Sequence, residues 1–215
     1  MKIDCRVCRS EYTNYFVTKK DSKKYWRCNN CCAVFTDPSH YIDLKEEKER
    51  YLEHNNSIHD PDYRSFLSRV TNPLKKHIDK ASKGLDYGCG HGPALADILS
   101  KDGYSVDLYD PFFYQNKSIF NNKYNFITCT EAAEHFFDPQ KEFESMSSML
   151  EDNGILAIMT SFLSKIEDFE NWYYRRDPTH VVFYLQETFK VIARQKNWKY
   201  WIEDKNIVFF KKVPQ

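Results

Sequence analysis

The chain has 215 residues, with 31 Lys+Arg against 31 Asp+Glu, enough for one α/β domain with a full core and a small appendage. Balanced charge excludes the overall field that draws a protein onto nucleic acid or anionic lipid, leaving only a local basic patch open. No apolar run reaches the length of a membrane span, and Met1 to Arg6 lacks the apolar stretch of a signal peptide, so a cytoplasmic protein with no membrane partner is expected.

Residues 1–40 carry the first strong pattern. Cys5-x2-Cys8 and Cys28-x2-Cys31 stand nineteen residues apart, the spacing of two knuckles that share one tetrahedral Zn²⁺. Tyr12 to Thr18 and Lys23 to Arg27 have the β-branched and aromatic bias of short strands, as a zinc ribbon requires. So few residues bury too little apolar area to fold alone, and the metal would supply the missing free energy. Cys32 follows Cys31 and is the alternative fourth ligand. Four thiolates close the coordination sphere, so the zinc is expected to be structural. Lys19, Lys20, Lys23, Lys24 and Arg27 cluster near the presumed ribbon tip; a solvated turn is the plain reading and an RNA contact the sharper one.

Residues 41–83 read as a helical connecting segment or lid. Leu44 to Glu53 is rich in helix formers, Tyr63 to Val70 places Phe66, Leu67 and Val70 at helical spacing, and Leu74 to Ile78 repeats this after Pro73. Arg50, Tyr51 and His54 share one face of the first helix, placed either to cover a bound cofactor or simply to face solvent.

The main domain is expected over residues 84–215. Lys83 to Tyr87 reads as a strand, Gly88-Cys89-Gly90-His91-Gly92-Pro93 as a turn, and Ala94, Leu95, Ile98 and Leu99 continue at helical spacing. Glycines at such a turn permit positive φ and close approach of a nucleoside, and the next helix presents free N–H groups. The following strand, Tyr104 to Tyr109, ends at Asp110, twenty residues beyond Gly90 and suited to bind ribose hydroxyls. A nicotinamide dehydrogenase would space its glycines Gly-x-Gly-x-x-Gly, whereas here the third glycine comes one position early.

On Asp86, Gly88, Gly90, Gly92 and Asp110 the chain resembles the class I S-adenosylmethionine-dependent methyltransferases. The resemblance covers roughly residues 84–212 and implies a Rossmann-like sheet. It places Asp86 near the methionine amino end of the cofactor, Gly88 and Gly90 along it, and Asp110 on its ribose. Tyr124 to Thr130 followed by Glu131-Ala132-Ala133-Glu134-His135 is similar to the post-strand segment of small-molecule members. Asp138 and Pro139 begin a helix with Phe143, Met146 and Leu150 on its apolar face. Strand Ile155 to Thr160, helix Glu187 to Lys196 and strands Lys199 to Glu203 and Ile207 to Lys212 complete the order. Thirteen residues separate Asp110 from Tyr124, too few for two helices and a strand, so the third strand is expected to be missing or vestigial. Phe112, Phe113 or Tyr114 would then stack on adenine or merely cap the sheet edge.

Methyl transfer needs alignment, exclusion of water and, for a poor nucleophile, a base. The segment Ser161 to Tyr184 is too long for a plain connection and reads as a cover; its Asp177-Pro178-Thr179-His180 run resembles a segment of zinc-ribbon-bearing bacterial methyltransferases. His180 is the first candidate base, with His135 and Glu131 next, while Arg175 and Arg176 would hold an anionic substrate group. A small-molecule substrate fits the neutral charge. An RNA methyltransferase gripping through the ribbon, and an idle protein that only binds cofactor or a partner, are the competing readings. Substrate and oligomeric state are not legible.

Overall fold

A computed structural model describes residues 3–53 and 57–214. Strands β1 (Thr13–Val17), β2 (Lys24–Cys28) and β3 (Val34–Thr36) form an antiparallel meander. Helix α1 (Leu44–Leu52) begins at Asp43, whose carboxylate accepts from the N–H groups of Lys45 and Glu46. Helix α2 (Pro61–Leu74) begins in the same way at Asp60. The break expected at Pro73 does not make two helices: Pro73 lies in the last turn of α2, where only one ladder bond is lost before the helix ends.

Then follow β4 (Lys83–Tyr87), α3 (Ala94–Lys101), β5 (Ser105–Tyr109), β6 (Tyr124–Thr130), α4 (Pro139–Met149) and β7 (Leu150–Met159). The chain ends with β8 (Val182–Phe183), α5 (Gln186–Lys196), β9 (Trp198–Asp204) and β10 (Ile207–Lys212). The main sheet has the order β5-β4-β6-β7-β10-β9. Its first four strands are parallel and its last two form an antiparallel hairpin against β7.

Strand alternation sends neighbouring side chains to opposite faces. Phe126 and Phe209 meet Leu67, Val70, Leu95 and Leu99 from α2 and α3 on one face. Ile127 and Phe210 meet Phe143, Met146, Phe189 and Ile192 from α4 and α5 on the other. The result is a three-layer α/β fold, the Rossmann-like arrangement that the resemblance implies. Among the described residues no third parallel strand flanks β5. The short segment after Asp110 makes a bridge from Asp110 to Tyr114 and one 3-10 turn, Lys117–Asn121.

Strand β8 adds to β3, so the cysteine-bearing segment shares its sheet with residues that follow β7. Arg9 also holds Asp138 at 2.5 and 2.8 Å, Thr188 Oγ1 donates to the Cys31 carbonyl at 2.8 Å, and Gln195 donates to the Cys8 carbonyl at 3.0 Å.

Candidate active site

The glycine turn sits where β4 gives way to α3. Gly88 and Gly90 have φ of +80° and +64°, values at which a side chain is strained. A Cβ at Gly88 would lie 2.6 Å from Cβ of Ala132, so glycine is needed there for packing against the loop after β6. A Cβ at Gly90 would meet no protein atom within 4 Å; the space beside it belongs to the cavity. Gly90 N–H donates to Oδ2 of Asp110 at 3.0 Å, and the N–H groups of Phe112 and Phe113 donate to Oδ1 at 2.8 and 3.1 Å. Three backbone donors thus fix the carboxylate, and the acceptor position they leave is on Oδ2.

Asp86 lies at the C-terminal end of β4, 3% exposed. Thr128 donates to its Oδ1 at 2.9 Å. Burial pushes the Asp86 carboxyl up to about 7, opposed by the Thr128 bond and reinforced by the charge of Asp110. A cationic ligand group beside it would restore the ionised form.

A cavity of about 950 Å³ opens from this turn. Helix α1 roofs it. The Tyr51 hydroxyl donates to Oε1 of Glu47 at 2.6 Å, and the Tyr51 ring stands 5.5 Å from Phe112 and 5.1 Å from His135, edge to face in both cases. Oε2 of the buried Glu47 has no partner. Phe112 and Phe113 line the cavity, whereas Tyr114 lines a shallower depression on the α3 side. His54 lies outside the described residues.

The far end is built from the turn after β6 and the segment after β7. Glu131 has a φ of +47°, a left-handed conformation that non-glycine residues avoid. Burial raises its carboxyl pKa, and the neighbouring Glu134 charge raises it further. The Tyr174 hydroxyl bonds to Glu134 and lies 3.4 Å from Glu131. His135 and His180 face one another with ring centres 4.8 Å apart. Burial holds His135 below its usual imidazole range. Nδ1 of His135 meets the Thr179 carbonyl at 3.0 Å, and Nδ1 of His180 meets the Tyr174 carbonyl at 2.7 Å.

A methyltransferase-domain family matches residues 57–202 of this chain, more than half its length. The chain belongs to that family. Solved structures with the same fold include a SAM-dependent methyltransferase from Archaeoglobus fulgidus, at 16% identity and TM-score 0.52, the match covering 79% of this chain and all of that one. An O-methyltransferase family protein from Burkholderia thailandensis has 10% identity and TM-score 0.54, over 78% of this chain and 63% of the other. Human N-acetylserotonin methyltransferase, solved in complex with SAM, has 11% identity and TM-score 0.53, over 70% of this chain and 54% of the other. No curated protein matches the sequence.

In this methyltransferase-family chain the residues singled out from sequence meet around one cavity: Tyr51, Gly88, Gly90, Asp110 and Phe112 on one side, Glu131, His135 and His180 on the other. Asp86 is not among the lining residues, although Tyr87 and Gly88, which follow it, are. Arg175 is a correction. It is 3% exposed, pairs with Asp21 at 2.6 Å and donates to the Glu170 carbonyl, so it ties the cover to the N-terminal meander instead of facing a substrate. Arg176 does line the cavity. Glu134, Tyr63 and Tyr174 were not picked out as site residues, yet all three line it. For Glu134 the signal was present, since it immediately precedes His135.

The four cysteines converge as their spacing requires. Cys5, Cys8, Cys28 and Cys31 are buried, and their sulfurs lie within 4.8 Å of one another. The Cys5–Cys31 and Cys8–Cys28 separations are both 3.6 Å, close to the roughly 3.8 Å edge of a tetrahedron with Zn–S bonds of about 2.3 Å. N–H groups of Asn30 and Cys31 point at Cys28 Sγ. Cys32 has a φ of +63° and packs instead into the cluster around Tyr25 and Phe183.

Proposed function

We propose that this chain transfers the methyl group of S-adenosylmethionine to a small-molecule acceptor bound in the cavity. The observation that carries the reading is Asp110, pinned by three backbone donors beside the open face of Gly90. The cofactor brings an electrophilic sulfonium methyl; the chain has to hold it, align the acceptor and keep water out. Gly88 and Gly90 would line the cofactor, Asp110 Oδ2 would accept from a ribose hydroxyl, and Asp86 would meet the amino group. Phe112 and Tyr51 offer ring faces to the base. The chemistry of the residues fits such a ligand, because Asp86 is a buried carboxyl that a ligand ammonium would relieve. Glu131, His135 and His180 would form the acceptor end and receive its proton.

The cysteine cluster would hold a structural zinc ion. It lies in the segment that supplies β3, and β3 pairs with β8 directly after His180. The Thr36 N–H donates to the Val181 carbonyl at 2.9 Å, and the Val181 N–H donates to the Glu134 carbonyl at 2.8 Å. The zinc module therefore serves as a brace for the acceptor end of the cavity.

Methyl-labelled S-adenosylmethionine, offered with hydroxyl- and amine-bearing small molecules and separately with RNA, tests the acceptor class. Label in a small molecule supports the proposal. Label in RNA that falls steeply with salt would replace it with the RNA reading.

A further inference from the structure

We propose that Glu134, His135 and His180 form a second metal site, distinct from the cysteine cluster, that holds a divalent first-row cation facing the cavity. The inference rests on the methyl-transfer reading for the meaning of the cavity, and it gives the two imidazoles a ligating task in place of proton transfer.

Three observations converge. One ligand atom from each of the three residues lies within 4.8 Å of the other two, and His135 Nε2 is 3.9 Å from Glu134 Oε1. Ligand atoms about 2.1 Å from a shared ion lie roughly 3–3.5 Å apart, so shifts of about an ångström would close the set. Both imidazoles are oriented as ligands usually are. Each has Nδ1 against a backbone carbonyl, which fixes the Nδ1–H tautomer and leaves Nε2 with a free lone pair. The turn that carries Glu134 and His135 is itself tied down: the Glu134 carbonyl takes the Val181 N–H, and Tyr184 donates to the Ala133 carbonyl at 2.9 Å.

Charge supplies the third observation. Glu134 is fully buried and its Oε2 has no hydrogen-bond partner. Glu131 stands beside it, joined through the same Tyr174 hydroxyl. Among the described residues neither carboxylate is paired with a lysine or arginine. A fully buried carboxylate with an unpartnered oxygen, beside a second and partly buried carboxyl, is costly, and a divalent ion offsets that cost. Three protein donors leave coordination positions open, and these face the cavity where the acceptor would sit. An ion there would hold an oxygen of the acceptor and make its hydroxyl more acidic, with the Glu131 carboxylate left to take the proton, which favours an oxygen acceptor over an amine.

The test uses full-length protein with its cysteine site filled by zinc. It is dialysed against Mn²⁺ or Co²⁺ and its metals are counted, with affinity measured by calorimetric titration. The expected result is about one added ion per chain besides zinc, with affinity falling tenfold or more in His180→Ala and in the near-isosteric Glu134→Gln. S-adenosylhomocysteine binding is measured on the same samples. No bound ion in protein that still binds S-adenosylhomocysteine would overturn the metal site and leave the methyltransferase reading standing. Unchanged ion binding in both variants would overturn it equally. An ion lost in the variants, in protein that never binds S-adenosylhomocysteine, would uphold the metal site and sink the cofactor reading.

Discussion

Replacing Asp86 by Asn should stabilise the ligand-free protein at neutral and alkaline pH while abolishing tight cofactor binding. Asp86 is buried, and its carboxyl is pushed up to about 7 from the ordinary 3.8. Because the folded chain binds this proton more tightly than the unfolded chain, its contribution to stability is full below about pH 4. It is lost as pH rises from there through about 7. One pKa unit corresponds to about 1.4 kcal/mol, so ionising Asp86 costs the folded state about 2–4 kcal/mol at pH 8. Asn has the same shape, still accepts from Thr128, and never ionises. In a domain of this size 1 kcal/mol shifts Tm by about 2–4 °C, so the variant should melt about 5–10 °C higher at pH 8. At pH 4.5 the gap should nearly close. Thermal unfolding across that range is the assay. A variant that is no more stable at pH 8, or whose advantage does not change with pH, would refute the reasoning.

The two turn glycines should fail in different ways. Gly88→Ala drives a methyl group into Ala132 and should cost about 2–4 kcal/mol of stability, visible by urea unfolding. Gly90→Ala should cost only about 1 kcal/mol for its positive φ, yet it should weaken S-adenosylhomocysteine binding by filling open cavity space. Zinc counting on cysteine variants should show loss of zinc in Cys31→Ser and full retention in Cys32→Ser. Chelation of the zinc should bring rapid hydrogen exchange to residues 174–183 as well as to the meander, because β3 and β8 share a ladder. Arg175→Ala should lower stability by about 1–3 kcal/mol, less than for a fully buried pair because Asp21 is partly solvated, and leave S-adenosylhomocysteine affinity within about twofold.

The part of the cavity proposed to hold the cofactor was legible because its residues are local. Asp86, the glycines and Asp110 belong to one strand-turn-helix-strand unit, and such a unit makes its own geometry. The missing third strand followed from the length of the connection alone. The cysteines were legible for the same reason, the x2 spacing favouring Cys31, and the fold sets the alternative, Cys32, aside in a left-handed conformation. The proposed acceptor end was only half legible. Tyr174 reaches Glu134 across forty residues of sequence, and no local spacing announces such a meeting. Arg175 and Arg176 are adjacent and alike, yet a 3-10 turn buries the first in a pair with Asp21 and sends the second to the cavity. Period and composition do not distinguish two such neighbours. Glu47 was hidden for another reason: it sits in a helix rich in charge, where a buried acid looks like one more solvated residue.

The most direct test of the central claim is calorimetric titration of zinc-loaded protein with S-adenosylhomocysteine, beside Asp110→Asn, which loses the charged acceptor and turns an amide donor toward the backbone N–H groups that hold it, with thermal unfolding to verify that the variant is folded. Micromolar binding by the unaltered chain, weakened about tenfold or more in the variant, is the expected result. A folded chain that binds no S-adenosylhomocysteine, or binds it equally well without the Asp110 carboxylate, would contradict the assignment of this cavity.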